Sequence, residues 1–170
     1  SRTVQLARSI QKDFKVKCII LSTDQGLDET SKQQYSDLKT VILPCLNDRF
    51  YIPYFSWAKL KELVEKIDVI HLMSHWTIIN AIVYLLARQL DKPYTFCPAG
   101  SLHIFGRSAL LKNLYNLFIG KSLIKNASQC IAITNLEKKD FLDFNVQEKL
   151  ISVIPNGIDE NEFCHNLVQQ

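Results

Sequence analysis

"DVIHLMSHWTIINAIVYLLARQLDKPYTFC", Asp68 to Cys97, carries the reading of the fold. Its first six residues, Asp68 to Met73, read as a strand. A helix follows from about Trp76 to Leu90, and "KPYTFC" reads as a second strand. The apolar run inside the helix, Thr77 to Ala87, is about half the roughly 18 residues a membrane span needs, so it reads as a buried helix.

The same rhythm extends outward. Upstream, residues 2–13 form an amphipathic helix with Val4, Leu6, Ala7 and Ile10 on one stripe. "VKCIILST", Val16 to Thr23, is a strand, and residues 24–37 are a polar loop. "LKTVIL" is a strand that stops at Pro44. Residues 54–66 are helical, with Phe55, Ala58, Leu60 and Leu63 apolar and lysines and glutamates opposite. Downstream, residues 98–107 form a loop that holds two of the five glycines. Residues 108–126 make the longest helix, "QCIAIT" a strand, and residues 135–143 a helix. Leu150 to Ile154 is the last strand, and the Pro-Asn-Gly turn signal closes it.

Strands alternating with helices, several of them apolar on both faces, predict a parallel sheet covered on both sides. The expected class is α/β, a Rossmann-like doubly wound parallel sheet. Such sheets bind ligands outside the carboxyl ends of their strands. That rule selects Ser22 to Gly26, Met73 to Trp76, Cys97 to Arg107, and Thr134 to Glu137.

Bulk properties narrow the function. The 170 residues suit one domain, with 47% hydrophobic and 22% charged residues. A net charge of +3, spread along the chain, does not argue for nucleic acid as a partner. The five cysteines, Cys18, Cys45, Cys97, Cys130 and Cys164, are odd in number and widely spaced. Reduced, buried thiols explain them better than a disulfide scaffold or a zinc site. The expected location is therefore cytoplasmic.

Three stretches hold candidate chemistry. In "HLMSHW", His71 and His75 are four apart, but one lies inside a strand and the other past its end. His71 is expected to be a hydrogen-bonded interior histidine, and His75 is the functional candidate. In "CPAGSLHIFGR", Gly100 permits close backbone approach, and Ser101 and His103 offer polar tips. Neither a P-loop nor a GxGxxG pattern is present, and a plain strand-to-helix crossover is an equal reading. "GRSALLKNLYNLFIGKSLIK" mixes Arg107, Lys112, Lys121 and Lys125 with apolar residues. A core-facing helix with a solvated basic face is one reading, and contact with an anionic membrane surface, at its inner face, is the other. No Ser-His-Asp or Cys-His set can be assembled.

The order of segments resembles family 4 glycosyltransferases. "SRTVQLARSIQKDFKVKCIILST" is similar to the family's first helix and second strand, and "DVIHLMSHW" to its "DVVHxHGLW". "FCPAGSL" resembles "xSPHGML". "ASQCIAITNLE" resembles the strand and following "T/S-xx-E", and "VIPNGIDENEF" the family's exit phrase. The likeness implies a GT-B enzyme, with two Rossmann-like domains across a cleft and transfer of a sugar with retention of configuration. On that basis residues 1–154 are the acceptor-binding domain, whose first strand and glycine loop would precede Ser1. Residues 155–170 are an exit linker towards a carboxyl-terminal donor-binding domain. That domain would hold most of the nucleotide-sugar, a co-substrate, and no other cofactor or metal is expected. The acceptor is expected to be a glycan or a lipid-linked molecule, as in polysaccharide biosynthesis.

Position and resemblance together nominate His75, Trp76, Gly100, Ser101, His103, Arg107 and Lys112 for the acceptor. His75 is also the candidate catalytic residue. Glu137, Asn156 and Gly157 are nominated for the cleft between domains. Ala99 stands where the family has a histidine, the best support for the second reading: a non-catalytic binding or scaffold domain derived from a transferase. A sugar-nucleotide epimerase or dehydrogenase is disfavoured, because no GxGxxG or Tyr-xxx-Lys set occurs. The chain by itself is expected not to transfer sugar.

Overall fold

The computed structural model describes residues 2–28, 35–47, 51–103 and 108–157. Strands β1 (Ile19–Thr23) and β2 (Lys39–Leu43) pair in parallel, with Ile19 opposite Lys39 and Thr23 opposite Leu43. A short antiparallel pair follows, β3 (Cys45–Asn47) and β4 (Ile52–Pro53). The sequence pattern did not announce it, because strands this short cannot display a period of two. The main sheet has the order β5 (Ile70–Met73), β6 (Tyr94–Cys97), β7 (Gln129–Ala132), β8 (Ile151–Val153), and every pairing is parallel. Among the described residues, β1 and β5 each keep one edge without a strand partner.

Helix α1 (Arg2–Phe14) covers the β1–β2 pair through Val4 and Ala7, which pack with Leu38 and the partly buried Cys18, Ile20 and Tyr35. Helix α2 (Trp57–Glu65) buries Leu60 and Val64, one turn apart, and carries Lys61–Glu65 and Lys66–Glu62 pairs outward. It starts three residues later than the sequence suggests, because the Tyr54 N–H still bonds to the Pro44 carbonyl at 2.7 Å and Ser56 is extended at the cap position. Helix α3 (Ile78–Gln89) is apolar nearly all round and buries Ala81, Val83, Tyr84, Leu86 and Ala87. It is the expected buried crossover. No helix among the described residues is long and apolar enough to cross a membrane.

The stretch read as one long helix is three consecutive helical pieces. These are α4 (Ala109–Tyr115), a π turn at Asn116–Gly120, and α5 (Lys121–Lys125). Helix α6 (Asn135–Asp143) begins where the Thr134 hydroxyl accepts the Glu137 N–H at 3.1 Å. It ends in a Schellman motif. Asn145 takes φ 59°, its N–H reaches the Leu142 carbonyl, and the Val146 N–H reaches the Phe141 carbonyl. Phe141 and Val146 are both buried, so the apolar contact that accompanies this motif is present.

The core lies between the main sheet and its helices. Phe96, Leu123, Ile124, Cys130, Ala132 and Phe141 are fully inaccessible. Leu21 of β1 and Ile70 of β5 pack against this cluster and also against a second one built on Leu60, Val64 and Leu86. The two parallel pieces therefore share a core without sharing a hydrogen-bond ladder. Cys97 and Cys130 are buried free thiols, and burial pushes the Cys130 pKa up to about 12. Cys18 and Cys45 are also free and half-buried, and Cys164 lies outside the described residues.

One expectation is corrected. His71 is hydrogen-bonded, with Nδ1 2.7 Å from Thr95 Oγ1, but it is exposed rather than interior. It sits on β5, an edge strand of the main sheet, where partial burial and the nearby charge of Arg2 hold its pKa below the ordinary imidazole value.

Candidate functional site

Three loops leave the carboxyl ends of β5, β6 and β7 side by side, and hydrogen bonds tie each to the next. Past β5, Ser74 adopts φ 72° and donates its N–H to the Cys97 carbonyl at 2.8 Å. Asn80, in the first turn of α3, donates from Nδ2 to the carbonyls of Met73 and Ser74 at 2.7 and 2.8 Å. Those two bonds replace strand pairing where β5 ends and fix the direction in which His75 leaves the sheet.

His75 is completely buried. Its ring meets Trp76, Phe96 and Tyr115 edge-on, with centroids 4.4, 5.6 and 5.3 Å away. Nε2 lies 2.8 Å from Asn116 Oδ1. An amide oxygen only accepts, so Nε2 carries the proton in this assignment. Nδ1 then holds a lone pair and has no hydrogen-bond partner among the described residues. Burial pulls the pKa down to about 4, and the bond to Asn116 opposes this only in part. His75 is therefore a neutral imidazole at pH 7.

The loop after β6 turns through two left-handed residues, Ala99 at φ 51° and Gly100 at φ 85°. Glycine accepts that backbone without strain, and alanine does so at a cost. The Ser101 hydroxyl donates to the Pro98 carbonyl and accepts the His75 backbone N–H at 3.0 Å. Burial pushes the Cys97 thiol up, and the nearby charge of Arg2 partly offsets this, so the start of α1 also reaches this end of the sheet.

Glu137 closes the arrangement from β7. Its carboxylate is almost wholly buried, accepts the Gly100 N–H on Oε1, and accepts the Ile133 N–H on Oε2 at 2.7 Å. Charge-assisted bonds to backbone N–H groups are how a protein holds a carboxylate inside. His103 Nε2 lies 2.8 Å from Asp140 Oδ1, an ion pair when the imidazole is protonated. Lys112 places its ammonium 5.3 Å from the centre of the Trp76 ring, a cation–π distance.

The nominated residues therefore divide. His75, Trp76, Ser101 and Lys112 come together, and Gly100 and Glu137 are bonded to each other. His103 is more than half exposed beside them and pairs with α6. Asn156 and Gly157 are exposed beyond β8. Arg107 lies outside the described residues. Sequence reading missed Asn116, Tyr115, Asn80 and Asp140. One signal existed for the first two: Gly120 inside a helix. A Cβ there would collide with Asn116 Oδ1 and crowd the Tyr115 ring at 3.0 Å. No group of three or more potential metal-ligating side chains occurs among the described residues. A surface cavity of about 520 Å³ opens behind the π turn, lined by Asn116, Leu117, Lys121, Lys125 and Asp143 among others.

The sequence pattern of Glycosyltransferase Family 4 matches residues 1–162. The chain belongs to this family. The family 4 chain also resembles the solved structures of HepE from Anabaena. In its complex with UDP-glucose the TM-score is 0.63 at 18% identity, covering 93% of this chain and 41% of HepE. In its complex with UDP and glucose the TM-score is 0.59 at the same 18% identity, covering 93% and 42%. The likeness shows the fold: a Rossmann-like amino-terminal domain of the GT-B kind. The family 4 chain spans less than half the length of the structures it matches. No curated protein matches it.

Proposed function

We propose that the chain is the acceptor-side domain of a retaining glycosyltransferase. The reaction moves a hexosyl group from a nucleotide-sugar to a hydroxyl of a glycan or lipid-linked acceptor, without a resident cofactor or metal. The donor is held mainly by a second domain beyond the exit segment. The observation that carries this reading is the edge built by the loops after β5, β6 and β7, in a chain whose family pattern runs over residues 1–162. Because HepE was solved with UDP-glucose, a UDP-hexose is the first donor to try.

Burial changes how the nominated residues would work. Gly100 N–H is occupied by Glu137, and Ser101 by Pro98 and His75. These groups shape the loop. His75 orients it through its backbone N–H and the ring contacts behind it. The groups at the surface of this edge, which would meet acceptor hydroxyls or a phosphate, are His103 with its partner Asp140, the partly exposed edge of Trp76, and Lys112 above that ring. The proposed cell location remains cytoplasmic, as for polysaccharide assembly from nucleotide-sugars.

The second reading, a non-catalytic binding domain, rests on Ala99, which occupies a left-handed position where the family has a histidine. One experiment separates the two. The full-length chain is incubated with UDP-hexoses and a panel of glycan and lipid-linked acceptors. Acceptor-dependent release of UDP supports the transferase. Acceptor binding with no release across the panel supports the binding domain.

A further inference from the structure

The helical stretch from Ala109 to Lys125 has two apolar faces, and only one is used. Asn116, Gly120, Leu123 and Ile124 are buried, with Tyr115 and Ile119 half-buried beside them. On the other face Leu110 is 73% exposed, Leu117 70% and Phe118 80%, and Leu111 and Leu114 are exposed too. The π turn carries Leu117 and Phe118 outward together while it turns Asn116 in towards His75. A core-facing helix normally shows charged residues to water on that side.

The charges that this stretch itself carries have one sign. Lys121 and Lys125 are exposed at the end of the stretch. No Asp or Glu occurs between Asp91 and Glu137, whereas Arg107, Lys112, Lys121 and Lys125 do. One carboxylate, Asp143 at the end of α6, lines the cavity behind the π turn together with both lysines.

Five apolar side chains on one helix amount to a patch of several hundred Å², below the roughly 800 Å² that each partner contributes to a standard protein interface. Lysines are also depleted from the centres of protein interfaces. Apolar tips with lysines alongside match the headgroup boundary of a bilayer, which takes short insertions and supplies phosphates.

We infer that this helical face docks on an anionic lipid surface. Leu110, Leu114, Leu117 and Phe118 enter the headgroup and acyl boundary, and Lys121 and Lys125 meet lipid phosphates. The helix begins a few residues after His103, so docking sets the candidate acceptor loop at the lipid surface. Docking does not depend on the transferase reading, because it is measured without turnover.

The test uses the full-length chain and vesicles of phosphatidylcholine with or without phosphatidylglycerol. Wild type should sediment with the anionic vesicles and lose binding as salt is raised. The double variant Leu117→Ser/Phe118→Ser should bind at least about tenfold less, with an unchanged melting temperature because both side chains start exposed. Lys121→Gln/Lys125→Gln should weaken binding to anionic vesicles severalfold and leave the small binding to neutral ones alone. A Phe118→Trp reporter should shift to the blue and be quenched by brominated lipid. Absence of binding by folded wild type overturns the proposal, as does equal binding by the serine variant. A Phe118→Trp reporter already buried without vesicles overturns it too, since another part of the chain would cover the face. Loss of self-association in the serine variant, with vesicle binding unchanged, overturns it in favour of a second copy.

Discussion

His75 Nε2 and Asn116 Oδ1 lie 2.8 Å apart inside the core, 41 residues apart in sequence, one at a strand exit and the other opening a π turn. Removing the amide leaves the imidazole N–H without an acceptor. Asn116→Ala should cost about 1–3 kcal/mol, read as a lower denaturation midpoint with the slope unchanged. An unchanged midpoint would mean that water replaces the amide.

The same histidine makes stability depend on pH. Its folded pKa of about 4 lies below the ordinary imidazole value of 6.5. As pH falls, the unfolded chain takes up the proton first, so this contribution is complete above about pH 6.5. It is lost progressively down to about pH 4 and is flat below that. The loss across the window is on the order of 3 kcal/mol. Denaturation of wild type and His75→Gln at several pH values isolates the effect from the carboxylates, and the variant should show the shallower slope.

Gly120→Ala runs against helix propensity. Alanine is the better helix former by about 1 kcal/mol. Here its Cβ would collide with Asn116 Oδ1 and press on the Tyr115 ring. The expected result is a net destabilisation of roughly 1–3 kcal/mol, measured by thermal melting. A stabilised variant would show that the π turn relaxes to a regular helix at no cost.

Glu137 offers two acceptor oxygens to two backbone N–H groups, those of Gly100 and Ile133. Glutamine supplies one oxygen and places a donor against the other N–H. Glu137→Gln should therefore destabilise by about 2 kcal/mol and speed amide exchange at Gly100. In the full-length chain it should also lower acceptor-dependent UDP release, because the loop it holds is the one proposed to face the acceptor.

His103 is the contrasting case. Its imidazole is largely exposed although Asp140 is mostly covered, so His103→Ala should change stability by about 1 kcal/mol or less. If the loop faces the acceptor, the same variant raises the acceptor KM in the full-length chain. Wild-type kinetics would place the acceptor elsewhere on the domain.

Much of the architecture was legible because its signals are local. The run from Asp68 to Cys97 shows its strand–helix–strand character by periodicity alone, and residues 135–143 read as the helix that α6 is. Those signals also order the strands along the chain and select the carboxyl-end loops. Tertiary structure alone decided what those loops do with their polar atoms. Gly100 meets Glu137 across 37 residues, and His75 turns inward to an asparagine that no motif marks. It also decided which face of residues 109–125 meets the sheet. That stretch is apolar on both sides, so a hydrophobic stripe could not choose between them. The choice fell to shape: Gly120 leaves the space that Asn116 and Tyr115 fill, and the leucines with Phe118 are turned to the surface. Sequence periodicity records how apolar a face is. Which apolar face is buried depends on the volume its partners leave, and that volume is set by residues far away along the chain.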